Sequence, residues 1–132
     1  MNAKLHLGYA GLALGYMAAI FFLSHLSPEA GSGWMDSMPG ILSNGLHIPL
    51  FAGLAWCLLM TSAGGRWHQA VSWDWYTAIG LTAGAYAALD EWHQSFVPGR
   101  TASLGDFFLD ALGIAGCLLI HWAWPKRRPL AS

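Results

Sequence analysis

Charge is what this sequence lacks. Of 132 residues, 6 are Lys or Arg and 7 are Asp or Glu, 10% in all, against roughly 25% in an average soluble protein. A small soluble domain has a large surface for its volume and needs charge to cover it. With 55% apolar residues, this chain leaves such a surface uncovered. The signs nearly cancel, at a net charge of −1, so the basic excess of a nucleic-acid binder is missing. Cysteine is scarce as well. Cys57 and Cys117 lie inside apolar runs without CxxC or Cys/His spacing, which excludes a disulfide framework and a thiolate zinc or redox motif. They are expected to act as small hydrophobes. No internal repeat, low-complexity tract or compact HExxH unit is present. These absences leave an integral membrane protein.

The charge-free stretches define its spans. A bilayer core about 30 Å thick takes about 20 helical residues. Residues 5–28 and 37–65 contain no Asp, Glu, Lys or Arg, and 75–89 and 111–125 are shorter runs of the same kind. The second run is too long for one span, and Pro39, Gly40, Ser43 and Asn44 break its start. The shorter runs must draw flanking acids to the hydrocarbon edge. The prediction is one domain over 1–132, an all-α integral membrane four-helix transmembrane bundle with spans near 5–26, 45–63, 73–94 and 103–124. The first span is not expected to be a cleaved signal peptide, because its apolar stretch is long and no small-x-small site follows Leu23.

Basic residues set the orientation. Lys126, Arg127 and Arg128 follow the last span, which places that end in the cytoplasm. Four spans put the N-terminus with Lys4 there too, along with Arg66, so five of six basic residues lie inside. A bacterial inner membrane protein with both termini cytoplasmic is expected. Trp34, Trp67, Trp73, Trp75, Trp92, Trp122 and Trp124 fall at span ends as an aromatic belt, with Trp56 alone mid-span. Gly8, Gly11 and Gly15 in the first span, Gly80, Gly84 and Ala88 in the third, and Gly113 and Gly116 in the fourth read as packing notches, within the chain or between copies of it.

Sorting polar residues by side isolates one cluster. The first span exits at Ser24 and His25, the second enters at His47, the third exits through Asp90, Glu91, His93 and Gln94, and the fourth enters through Asp106 and Asp110. All lie at the extracytoplasmic ends. An acid at a span centre costs about 2.5–3.5 kcal/mol to insert, and less near the interface, so Asp90 and Asp110, each a turn deep, are costly. Asp90, His93 and Gln94 share a face, as do Asp106 and Asp110, whereas Glu91 points about 100° from Asp90 and needs another partner. The side's one cation is Arg100, placed to fork a carboxylate. Two structural roles compete with function: Asp106 as a helix cap and Arg100 as a staple to Glu91. His6, His25, His68 and His121 are expected as interfacial decoration.

The run Asp90-Glu91-Trp92-His93-Gln94-Ser95-Phe96-Val97-Pro98-Gly99-Arg100, followed by Asp106 and Gly113, resembles the signature of the VanZ-like family: DE-x-x-Q, a PGR and a downstream Asp. His47 and Ser24 match its histidine and the serine that closes its first span. Asp110 stands where the family usually has Asn, and Asn44 where it often has Lys. The resemblance implies a small multispanning protein of the bacterial cell envelope, with relatives linked to resistance to the glycopeptide teicoplanin. That drug acts on cell-wall precursors at the outer surface, on the side of this cluster.

Three activities are compatible with the cluster. In the first, it binds a lipid-linked or phosphate-bearing envelope ligand, with Arg100 on the phosphate, His93, Gln94, Asp106 and Asp110 completing the site, and the chain in an apolar groove. In the second, it is an intramembrane hydrolase or transferase on such a lipid, with His47 as base, Asp90 orienting it, Glu91 as acid and Ser24 as nucleophile. A metal form of that enzyme would use His47, His93, Asp90 and Asp106 or Asp110 as ligands. The third, a channel or proton-coupled carrier using the acids as relay, ranks last because no polar path continues toward the cytoplasm.

Overall fold

The computed structural model describes residues 5–25, 45–98, 100 and 102–126. These form four helices, α1 (Leu7–His25), α2 (His47–Ser62), α3 (Trp73–Gln94) and α4 (Leu104–Ala123). No strand occurs among the described residues. Each helix begins and ends within two residues of a predicted span. Glu29, Trp34, Asp36, Pro39, Gly40, Ser43, Asn44, Lys4, Arg127 and Arg128 lie outside the described residues.

The helices run alternately up and down. The His6 amide donates to Thr61 O at 3.0 Å, which sets the start of α1 beside the end of α2. Trp67, in the α2–α3 connection, packs edge-on against His121 near the end of α4. Arg66 and Lys126 therefore share one end of the bundle, and Arg100 lies at the other. The α2–α3 turn uses Gly64 and Gly65 at positive φ (62° and 76°), a conformation that costs glycine little.

The shortest helix holds the centre. α2 contacts α1, α3 and α4, whereas α1 and α4 do not touch. Phe51, Leu54 and Ala55 of α2 pack with Ile20, Ala83, Ala87 and Ile114 in one core cluster. Leu59, Met60 and Ala63 pack with Ile79 in a second. α1 and α4 are long and apolar enough to cross a membrane. Their outer faces expose Leu7, Leu14, Phe22, Leu104, Phe108 and Leu119. Such faces suit lipid and would be a liability in water.

The predicted small-residue notches divide into two kinds. A Cβ on Gly113 would stand 2.3 Å from Ile48 O, so the backbones of α2 and α4 meet there. Around Gly11, Gly15, Gly84 and Gly116 a Cβ would meet nothing within 4 Å among the described residues. Those four are not packing notches between the described helices. Cys57 is buried and both cysteines are free thiols.

Candidate functional site

The close approach at Gly113 explains the contact that organises the polar end. Ile48 follows His47 in α2, and Gly113 lies one turn beyond Asp110 in α4. Drawing these backbones together sets the His47 imidazole against the Asp110 carboxylate, with Nδ1 and Oδ1 at 2.8 Å. Asp110 is fully buried and His47 half-buried. Among the described residues this is the ion pair at that end. The carboxylate that holds His47 is thus Asp110, not the Asp90 expected as its orienting group.

Asp90 has a different partner. Gln94 Nε2, one turn on in α3, donates to Asp90 Oδ2 at 2.9 Å and lies 3.4 Å from Ser24 Oγ of α1. Ser24 is accordingly an acceptor in a side-chain chain from α1 to α3. Glu91 turns to α4, where its Oε2 accepts the Ser103 amide at 2.8 Å. The divergence of adjacent acids follows from the helical rotation, but the staple to Glu91 is a backbone amide and not Arg100. Arg100 Nη2 instead donates to Leu23 O at 3.2 Å, on the last turn of α1.

Asp106 does not cap α4. Ser103 is the cap, its Oγ accepting from the Gly105 amide at 3.1 Å. Asp106 sits in the first turn with its side chain turned into the bundle, 8% exposed. One ligand-capable atom from each of His47, Glu91 and Asp106 lies within 4.8 Å of the others. Asp90 and Asp106 are also within Coulombic range of Asp110. Among the described residues, four buried carboxylate oxygens have no hydrogen-bond partner: Asp90 Oδ1, Glu91 Oε1, Asp106 Oδ1 and Asp110 Oδ2. Uncompensated charge of this kind is expensive in a low-dielectric interior.

His93 stands apart from these acids. Its ring stacks on His25 at 5.5 Å, with Nε2 3.4 Å from His25 Nδ1, and lies 4.4 Å from the Phe21 ring. His25 itself remains exposed at the end of α1. His121 is not interfacial decoration: it is fully buried, with Nδ1 2.6 Å from Tyr76 Oη. A third unforeseen link joins Tyr86 Oη to Met17 O at 2.6 Å. The signal for both tyrosine contacts was a phenol inside an apolar span, since a buried hydroxyl needs a partner.

An apolar groove adjoins the cluster. Ala88, Ala102, Leu104 and Phe107 line a cavity of about 330 Å³ that also touches Glu91 and Ser103. A smaller cavity, about 120 Å³, is bounded by Phe21, Tyr86, Leu89, Asp90, Trp92 and His93.

The family model for VanZ/LLP1 matches residues 9–124. The chain belongs to the VanZ/LLP1 family. No curated protein and no solved structure matches it. The matched stretch takes in α1 almost whole and all of α2, α3 and α4, so each helix that supplies the polar cluster is part of the VanZ/LLP1 unit. Together with two exposed, apolar, span-length helices, VanZ/LLP1 membership makes this a membrane protein.

Proposed function

We propose that this VanZ-like protein is a four-span protein of the bacterial cell envelope that binds a phosphate-bearing or otherwise lipid-linked ligand at the extracytoplasmic end of its bundle. The supporting observation is the juxtaposition of an apolar groove with the polar cluster. Ala88, Leu104 and Phe107 offer a wall for an acyl or prenyl chain, and the groove ends on Glu91 and Ser103. Arg100 lies at that same end, hydrogen-bonded to the last turn of α1 beside Ser24. Its planar fork suits a phosphate. Binding there would place the protein on cell-wall precursors or their carriers, and a change in teicoplanin susceptibility would be the physiological readout.

The test uses the full chain in detergent micelles, with a long-chain prenyl phosphate and the corresponding uncharged prenol as ligands in native mass spectrometry. The phosphate should be retained preferentially. Arg100→Ala should abolish the preference and Phe107→Ala should weaken both ligands. Equal retention of phosphate and alcohol, or an Arg100→Ala protein with unchanged binding and unchanged teicoplanin susceptibility of its host, would overturn the proposal.

A further inference from the structure

We infer that His47, Glu91 and Asp106 bind a divalent first-row metal ion, Zn²⁺ or Mn²⁺, with Asp110 as the outer carboxylate that orients His47. The three ligands come from α2, α3 and α4, yet their ligand-capable atoms lie within 4.8 Å of one another. Metal–ligand bonds of about 2.0–2.2 Å in tetrahedral geometry put ligand atoms about 3.4 Å apart, so the three side chains must close by about an ångström to hold an ion.

His47 and Glu91 are each held by one atom and have another to give. His47 Nδ1 is engaged by Asp110 Oδ1, which leaves Nε2 for a metal. This is the carboxylate–histidine arrangement that fixes the tautomer and orientation of metal-ligating imidazoles. Glu91 Oε2 is fixed by the Ser103 amide, while its Oε1 has no hydrogen-bond partner. Asp106 Oδ1 is likewise without one. Both acids are only 8% exposed. A divalent cation supplies the charge that these buried oxygens want. One imidazole with carboxylates and no thiolate suits zinc or manganese rather than a soft ion. The ligand set differs from the one expected from the sequence: Glu91 takes the place of His93 and Asp90, of which His93 is occupied against His25 and Phe21 and Asp90 accepts from Gln94.

Because Glu91 also touches the groove, a bound ion would face an anionic headgroup across the same carboxylate. The metal site does not depend on that reading, since it is measured with the metal alone.

The full chain in lipid nanodiscs, stripped with chelator, is titrated with Zn²⁺ and with Mn²⁺ by calorimetry and thermal unfolding. About one ion per chain is expected, with a rise in Tm, because metal affinity adds to folding stability. Glu91→Gln and Asp106→Asn should each weaken binding by about tenfold or more. The His25→Ala/His93→Ala double variant, which removes the other histidine pair at that end, should leave it unchanged. Co²⁺ supplies a readout that needs no variant: visible absorption bands of a nitrogen- and oxygen-ligated ion should appear in wild type and vanish on adding Zn²⁺. A wild-type chain without ion uptake, Tm shift or Co²⁺ bands overturns the inference, as does binding lost only in the His25/His93 variant.

Discussion

The His47–Asp110 pair carries the strongest energetic argument at the level of single residues. It joins positions 63 apart in the chain, in a setting where removing one member strands a buried charge. His47→Ala should therefore lower stability by about 3–5 kcal/mol. Adding Asp110→Asn should recover a substantial part of that loss. Thermal or denaturant unfolding of these variants and of Asp110→Asn alone checks both; single effects that simply add in the double variant would show that the pair is not coupled. Tyr76→Phe is a smaller test. It removes the phenol from the buried His121 and should cost about 1 kcal/mol, in the range of hydrogen bonds inside membrane proteins. What was legible at this scale was local. Asp90 and Glu91 had to diverge because neighbouring side chains on a helix point about 100° apart, and Gln94 had to meet Asp90 at i+4. The choice of Asp110 over Asp90 for His47 was not legible, since it depends on how α2 crosses α4.

That crossing belongs to the helices. Their boundaries could be read from charge-free runs because the cost of placing charge in hydrocarbon punctuates the sequence. Their neighbours could not, because glycines look alike in sequence whether they meet a backbone or open space. Gly113 meets Ile48 O, whereas Gly11, Gly15 and Gly84 meet nothing among the described residues. Gly113→Ala should push α4 from α2 and destabilise the protein by about 1–3 kcal/mol, the usual cost of overpacking. It should also lengthen the His47–Asp110 contact. Gly11→Ala and Gly84→Ala should leave the monomer's stability within about 0.5 kcal/mol of wild type. Should Gly11→Ala or Gly84→Ala instead shift the elution of a detergent-solubilised oligomer, those glycines serve contacts between copies.

At the scale of the whole molecule, the alternating course of the helices puts Arg66 and Lys126 at one end and the acid cluster at the other. A fluorescent reporter fused after residue 132 should be active in the cytoplasm, and an alkaline phosphatase fused at the same point should be inactive; the reverse pattern would invert the proposed orientation. The sequence located the cluster, since nearly all its scarce charge outside the anchors and the 26–44 segment falls there, but not which acids share a centre. The order in which the chain is made gives the His47–Asp110 pair a further meaning. Synthesis runs from α1 to α4, so His47 is delivered long before Asp110, and the acid arrives when its partner is already waiting. In the proposed four-span arrangement, the penalty of inserting Asp110 would then be set by docking against α2 rather than by bare transfer into lipid. α4 should accordingly insert less efficiently when synthesised alone than when it follows α1–α3, and His47→Ala should carry the whole chain toward the inefficient case. Biogenesis of the last helix would thus be conditional on the first turn of the second.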